Sequence, residues 1–190
     1  MIETNKIIER EVSRKAFLYE IQLDVDDKYF INEIDKSLEK LNLYYTTNVK
    51  GKMTAWRAFC KDEKFFDVLT RGFDYMTQFT KIDRASLEDA WGLKIEKGDY
   101  TKRHNHGTSV LSGILYLNDV DQELIFPELS INVKPKKGSL LIFSPWLDHM
   151  TDINKSEKAK YAIAFFLIVA GSLGIKDMKD YIRYGDSDSS

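Results

Sequence analysis

Apolar and polar positions change rhythm several times along the chain, and each rhythm predicts an element. Phe17, Tyr19, Ile21 and Leu23 alternate with their neighbours, the period of two expected of a strand with one buried face. Asp26 or Asp27 can then cap a helix in which Phe30, Ile31, Ile34, Leu38 and Leu41 recur at three- and four-residue spacings. Two short strand-like runs follow, about Leu43 to Val49 and Met53 to Phe59. They are joined through Lys50-Gly51-Lys52, where glycine can supply the positive φ of a hairpin turn. Helical spacing returns after a candidate Asp62 cap, in Phe65, Phe66, Leu69, Phe73, Met76, Phe79 and Ile82, although Gly72 in its middle costs about 1 kcal/mol of helix propensity.

From Leu87 onward the pattern is almost all strand: Leu87 to Ile95, Val110 to Leu117, Glu123 to Phe126, Ser130 to Val133, Leu140 to Phe143 and Lys160 to Val169. Gly98, Gly107, Asn118-Asp119, Pro127, Pro135 and Gly138 punctuate these runs with residues of specific turn chemistry. Helices in the first half and short strands in the second predict a mainly β core, closed as a sandwich or barrel and braced on one face by N-terminal helices. The polar end, Gly185 to Ser190, is expected to fray.

Length and composition narrow the class. A chain of 190 residues is expected to form one domain: an N-terminal support over residues 1–86, a β core over 87–169 and a C-terminal extension over 170–190. With 43% hydrophobic and 31% charged residues it is a folded protein and not a low-complexity one. Twenty-eight basic against 30 acidic residues leave no domain-scale positive excess for a phosphate backbone, so nucleic-acid reading is disfavoured. The longest apolar run, Tyr161 to Ala170, is far short of the roughly 20 residues a membrane-spanning helix needs and reads as a buried strand. Cys60 is the only cysteine and is expected to be a small core residue. Without an internal disulfide or a recognisable leader, a reducing cytoplasmic setting is expected.

The histidines carry the chemistry. There are three, His104, His106 and His149. In extended backbone, side chains at i and i+2 point to the same side, so His104 and His106 can converge on one point. His149 follows the apolar run Leu140 to Phe143 and the turn-like Ser144-Pro-Trp146, where a neighbouring strand can present a third imidazole. A borderline metal such as ferrous iron or zinc accepts this set and keeps open positions. Taken singly, each histidine also reads as a solvated or hydrogen-bonded surface residue.

Several ordered motifs together resemble the iron(II)- and 2-oxoglutarate-dependent oxygenase superfamily. They are Asp89-Ala-Trp91-Gly-Leu, Arg103-His104-Asn105-His106-Gly107, Leu111-Ser-Gly-Ile-Leu-Tyr-Leu-Asn118, Lys134-Pro135 through Trp146-Leu-Asp-His149, and Lys160-Tyr-Ala-Ile-Ala-Phe165. Within the superfamily, the chain is most similar to a bacterial and phage-associated HxH group related to prolyl hydroxylases, over about residues 87 to 169.

The resemblance implies a double-stranded β-helix, or jelly roll, with His104 and His149 as ligands of iron(II) and 2-oxoglutarate and O2 as co-substrates. His106 stands where the wider superfamily has the aspartate of HxD, which raises the net charge of a ferrous site by about one unit. The strand argument makes His106 a ligand, with a water at that position as the alternative. Lys160 matches the basic residue that receives the distal carboxylate of 2-oxoglutarate, with Lys158 as its rival. Tyr116 matches a supporting hydroxyl, and Ser112 a small hydroxyl lining the pocket.

Trp91, Trp146 and Phe143 read first as core or pocket wall, whereas Tyr100 and Arg103 can reach a substrate or lie on the surface. The expected activity is hydroxylation of a C–H bond in an unidentified small-molecule or peptidyl substrate, with proline suggested by kinship. The alternatives are a three-histidine iron dioxygenase that does not use 2-oxoglutarate, and a non-catalytic jelly-roll binding module.

Overall fold

A computed structural model describes residues 16–40, 47–78, 84–107 and 111–168. In chain order its elements are β1 (Leu18–Gln22), α1 (Asp27–Lys40), β2 (Val49–Lys50), β3 (Lys52–Met53), α2 (Glu63–Thr77), β4 (Ser86–Ile95), β5 (Tyr100–His104) and β6 (Leu111–Tyr116). After these come β7 (Leu124–Phe126), a 3-10 turn (Pro127–Leu129), β8 (Ile131–Val133), β9 (Ser139–Phe143), β10 (His149–Thr151) and β11 (Lys160–Ile168). Phe79, Ile82, the expected strand start at Leu43 and the polar end Gly185 to Ser190 lie outside the described residues.

The strands form two antiparallel sheets. The larger has the order β1-β9-β6-β11-β4-β3 and the smaller β2-β5-β10-β7-β8. Between β4 and β11 the chain passes repeatedly from one sheet to the other, the winding of a double-stranded β-helix. Strand β1 extends the larger sheet beyond β9, with Leu18 opposite Phe143, while β2 and β3 lengthen one edge of each sheet.

Alternation divides the larger sheet into two faces. Leu87, Ala90, Leu115, Ile142, Ile163 and Phe165 pack with Phe30, Ile34, Phe65 and Phe73 of the two helices. Trp91, Leu93, Tyr116, Leu141, Phe143 and Ala162 join Leu124 and Phe126 in a second core between the sheets. Helix α2 begins where Asp62 Oδ1 accepts the Phe65 N–H at 2.8 Å, as its sequence predicts. Gly72 lets this helix approach the sheet, because a Cβ there would come within 2.1 Å of Leu140 Cδ2.

One expectation is corrected. Lys50-Gly51-Lys52 does not close a hairpin: β2 pairs with β5 in one sheet and β3 with β4 in the other, so the chain crosses between sheets at Gly51. Glycine there serves close approach and not a positive φ, since a Cβ would lie 2.7 Å from Ile95 Cδ1. Beyond Met53 the expected strand gives way to successive turns, in which Ala58 N–H and Cys60 N–H donate to the carbonyls of Ala55 and Arg57. Those turns send Phe59 and Cys60 to the helix-side core while Trp56 packs against Trp91.

Candidate metal centre and its pocket

The smaller sheet brings the histidines together. His104 ends β5, His149 opens β10, and the two are direct cross-strand partners. His106 lies just beyond the end of β5, where its backbone N–H donates to the Pro145 carbonyl at 2.6 Å. Ring centroids are 4.3 Å apart for His104 and His149, 4.7 Å for His104 and His106, and 5.0 Å for His106 and His149. One ligand atom from each imidazole lies within 4.8 Å of the other two. Around an ion with metal–nitrogen distances of about 2.1 Å such atoms sit about 3 Å apart, so small side-chain rotations close the set.

Hydrogen bonding leaves two of the rings with a free ligating atom. The Nδ1 of His104 lies 2.8 Å from the Lys102 carbonyl, and that of His149 3.0 Å from the Leu147 carbonyl. A carbonyl only accepts, so each Nδ1 carries the proton of a neutral ring and each Nε2 keeps its lone pair. Phe166 packs 4.4 Å from the His106 ring, and Phe143 and Phe126 lie 5.0 and 6.1 Å from that of His149. Burial in this apolar surround pushes His106 down to about 3 and His149 to about 4, and lowers His104 as well. All three are therefore neutral at pH 7, the form that ligates metals.

A narrow cavity of about 60 Å³ extends from the histidines between the sheets, and Ser112, Tyr116 and Lys160 line it too. Lys160 is 3% exposed and has no hydrogen-bond or carboxylate partner among the described residues, and burial lowers its ammonium to about 7. The buried hydroxyls of Tyr116 and Ser112 are equally unpartnered. Buried polar groups in native folds are nearly always hydrogen-bonded, so three such groups in one cavity mark a place for a polar ligand. Asn118 holds Lys160 in register: its side chain donates to the Ala159 carbonyl at 2.8 Å and accepts the Tyr161 N–H at 2.9 Å. Lys158 is exposed in the preceding turn and does not line the cavity.

The other singled-out residues fall on both sides of the site. Trp91 and Phe143 are buried cavity wall, Trp146 is partly buried against the inter-sheet core, and Tyr100 is half-buried at the start of β5. Burial pushes the Cys60 thiol up, consistent with a core residue. Arg103 is engaged at the rim by Asp148 and Glu128. Thr101 and Thr151 also line the cavity and carry no signal in the sequence, because they lie on short polar strands; Leu124, another lining residue, falls within the strand expected at Glu123 to Phe126.

No protein-family model matches the chain, and no curated protein matches it. Solved structures do. The viral collagen prolyl hydroxylase of Paramecium bursaria Chlorella virus-1, in its 2OG complex, aligns with a TM-score of 0.63 at 20% identity, over 80% of this chain and 96% of that one. A Pseudomonas putida prolyl-4-hydroxylase aligns with a TM-score of 0.59 at 14% identity, over 81% of this chain and 93% of that one. HygX from Streptomyces hygroscopicus, with nickel, 2-oxoglutarate and hygromycin B bound, aligns with a TM-score of 0.63 at 12% identity, over 81% of this chain and 83% of that one. The chain thus shares the double-stranded β-helix of these 2-oxoglutarate-dependent oxygenases.

Proposed function

We propose that this protein is an iron(II)- and 2-oxoglutarate-dependent dioxygenase that hydroxylates a C–H bond of a small-molecule or peptidyl substrate. The observation that carries the reading is one cavity with three neutral imidazoles at one end and three unpartnered polar groups along its wall. His104, His106 and His149 are the metal ligands, and Lys160, Tyr116 and Ser112 receive the co-substrate. The donor set fits both groups: neutral nitrogen suits a divalent borderline metal, and a buried amine with two hydroxyls suits a carboxylate. On the same strand face, between Lys160 and Phe166, stand Ala162 and Ala164, whose small side chains leave room for a short dicarboxylate.

Bound there, ferrous iron would couple the oxidative decarboxylation of 2-oxoglutarate by O2 to oxidation of a substrate C–H bond. The chain's part is to orient and to exclude. Carbonyls of Lys102 and Leu147 fix two ring tautomers, Phe126, Phe143 and Phe166 keep water from the imidazoles, and Lys160 anchors the distal carboxylate. The prolyl hydroxylases among the structural neighbours favour a peptidyl substrate, with proline as the first residue to try. A second reading, a three-histidine iron dioxygenase without a 2-oxo acid, draws on a ligand cluster that consists, among the described residues, of three histidines.

Anaerobic titration of the ferrous protein with 2-oxoglutarate separates these readings. A saturable visible charge-transfer band is expected, abolished in His149→Ala and shifted to higher ligand concentration in Lys160→Ala. Iron binding with no band would overturn the 2-oxoglutarate reading in favour of the second. Failure to bind iron would leave a binding module.

A further inference from the structure

One side chain joins the two segments that carry the histidines, and nothing in the ligand set or the co-substrate pocket accounts for it. Asp148 precedes His149 in the chain. Its Oδ2 accepts from Arg103 Nε at 2.6 Å and its Oδ1 from Asn105 Nδ2 at 2.7 Å. Those donors are the two chain neighbours of His104, and Asn105 is also the link between His104 and His106. A single carboxylate therefore holds both sides of one histidine from a position next to its cross-strand partner. Arg103 reaches on to Glu128 Oε1 at 3.0 Å, which ties the same corner to the turn after β7.

We propose that Asp148 is a positioning residue of the metal centre, setting the relative placement of the three imidazoles by clamping Arg103 and Asn105. This rests on the reading of the histidines as a metal site. The need for a clamp follows from the backbone. The ladder holds His104 and His149, but pairing is irregular between His149 and Thr151, and His106 lies beyond the last residue of β5. Apart from the contact of the His106 N–H with Pro145, the Asp148 hydrogen bonds are what fasten this loop to the segment before β10 among the described residues.

Folding stability does not explain the arrangement. The Arg103 side chain is 54% exposed, and ion pairs this open to water contribute little to stability. Geometry is a different matter, because partners that orient metal-binding histidines typically change metal affinity by about 10- to 100-fold.

Cobalt(II) alone is a sufficient probe, read by its visible absorption. Asp148→Ala is expected to weaken cobalt binding by about tenfold or more and to change the band shape, while the thermal midpoint of the metal-free protein stays near that of wild type. Asp148→Asn, which keeps one acceptor oxygen, should recover part of the affinity. Should Asp148→Ala fail to fold, Asn105→Ala removes one arm of the clamp and should shift the spectrum in the same direction. Wild-type affinity and band shape in folded Asp148→Ala and Asn105→Ala proteins would overturn the proposal while leaving the metal site intact. Absence of cobalt binding by wild type would overturn both.

Discussion

Lys160 sits in a pocket that, among the described residues, offers its amine no partner, and the cost of that isolation is readable in pH. Its buried ammonium titrates near 7, against about 10.4 for lysine in an unfolded chain. Between those values the unfolded chain binds a proton that the folded chain sheds, so the lysine's burden on stability is full below about 7 and lifts as pH rises towards about 10. A carboxylate beside the amine reverses the bias and restores the charge. At pH 8 to 9, 2-oxoglutarate binding should therefore take up a proton. Calorimetric titrations in two buffers of different ionisation heat should give different apparent enthalpies, and Lys160→Met should make them agree. Equal enthalpies for wild type would remove Lys160 from the carboxylate site. The lysine itself could be read in the sequence, as could the three histidines. Asp148 could not, because its role depends on donors more than forty positions away that only sheet pairing brings near.

At the scale of elements, Gly72 separates local propensity from packing. In an isolated helix, replacing glycine with alanine stabilises by about 1 kcal/mol. Here the added methyl would meet Leu140, a fully buried side chain on β9 of the larger sheet. Gly72→Ala is expected to destabilise by about 1 to 3 kcal/mol in urea unfolding, and a gain in stability would show that the helix can move away at little cost. The same distinction explains which elements the sequence revealed. The helices announced themselves because one face of each is buried, and the long strands of the larger sheet because both of their faces are. Strands β5 and β10 are short and mostly polar, so periodicity passed over them, although they carry two of the histidines. Gly51 misled for a related reason: a turn-forming residue between two strand-like runs looks the same whether the strands pair with each other or belong to different sheets.

For the molecule as a whole, acid is the condition that tests the site and the fold together. His149 and His106 remain neutral in the folded protein down to about 4 and about 3, whereas an unfolded histidine protonates near 6.5. Below about 6.5 the unfolded chain gains protons that the folded chain refuses, so stability should fall as pH drops from about 6.5 to about 4. A bound divalent ion should raise the melting temperature at neutral pH, by about 2.7 kcal/mol of stabilisation when its free concentration is a hundred times Kd. That increment should persist across this window, because the folded imidazoles stay neutral, and should be lost only below about 4, as His149 and then His106 take up protons that compete with the ion. Melting curves with and without cobalt(II) at several pH values check both expectations, and loss of the increment already between about pH 6.5 and about pH 5 would mean that the ion sits elsewhere.

The pairing of His104 with His149 also bears on how the protein comes into being. Forty-five residues separate these partners, and the intervening chain must lay down four further strands in both sheets before they meet. Contacts so distant along the chain form late and slowly. If the three imidazoles are the metal ligands proposed above, the ion's full set of donors comes together only after residue 149 has left the ribosomal exit tunnel and the barrel has closed, so metal loading follows folding.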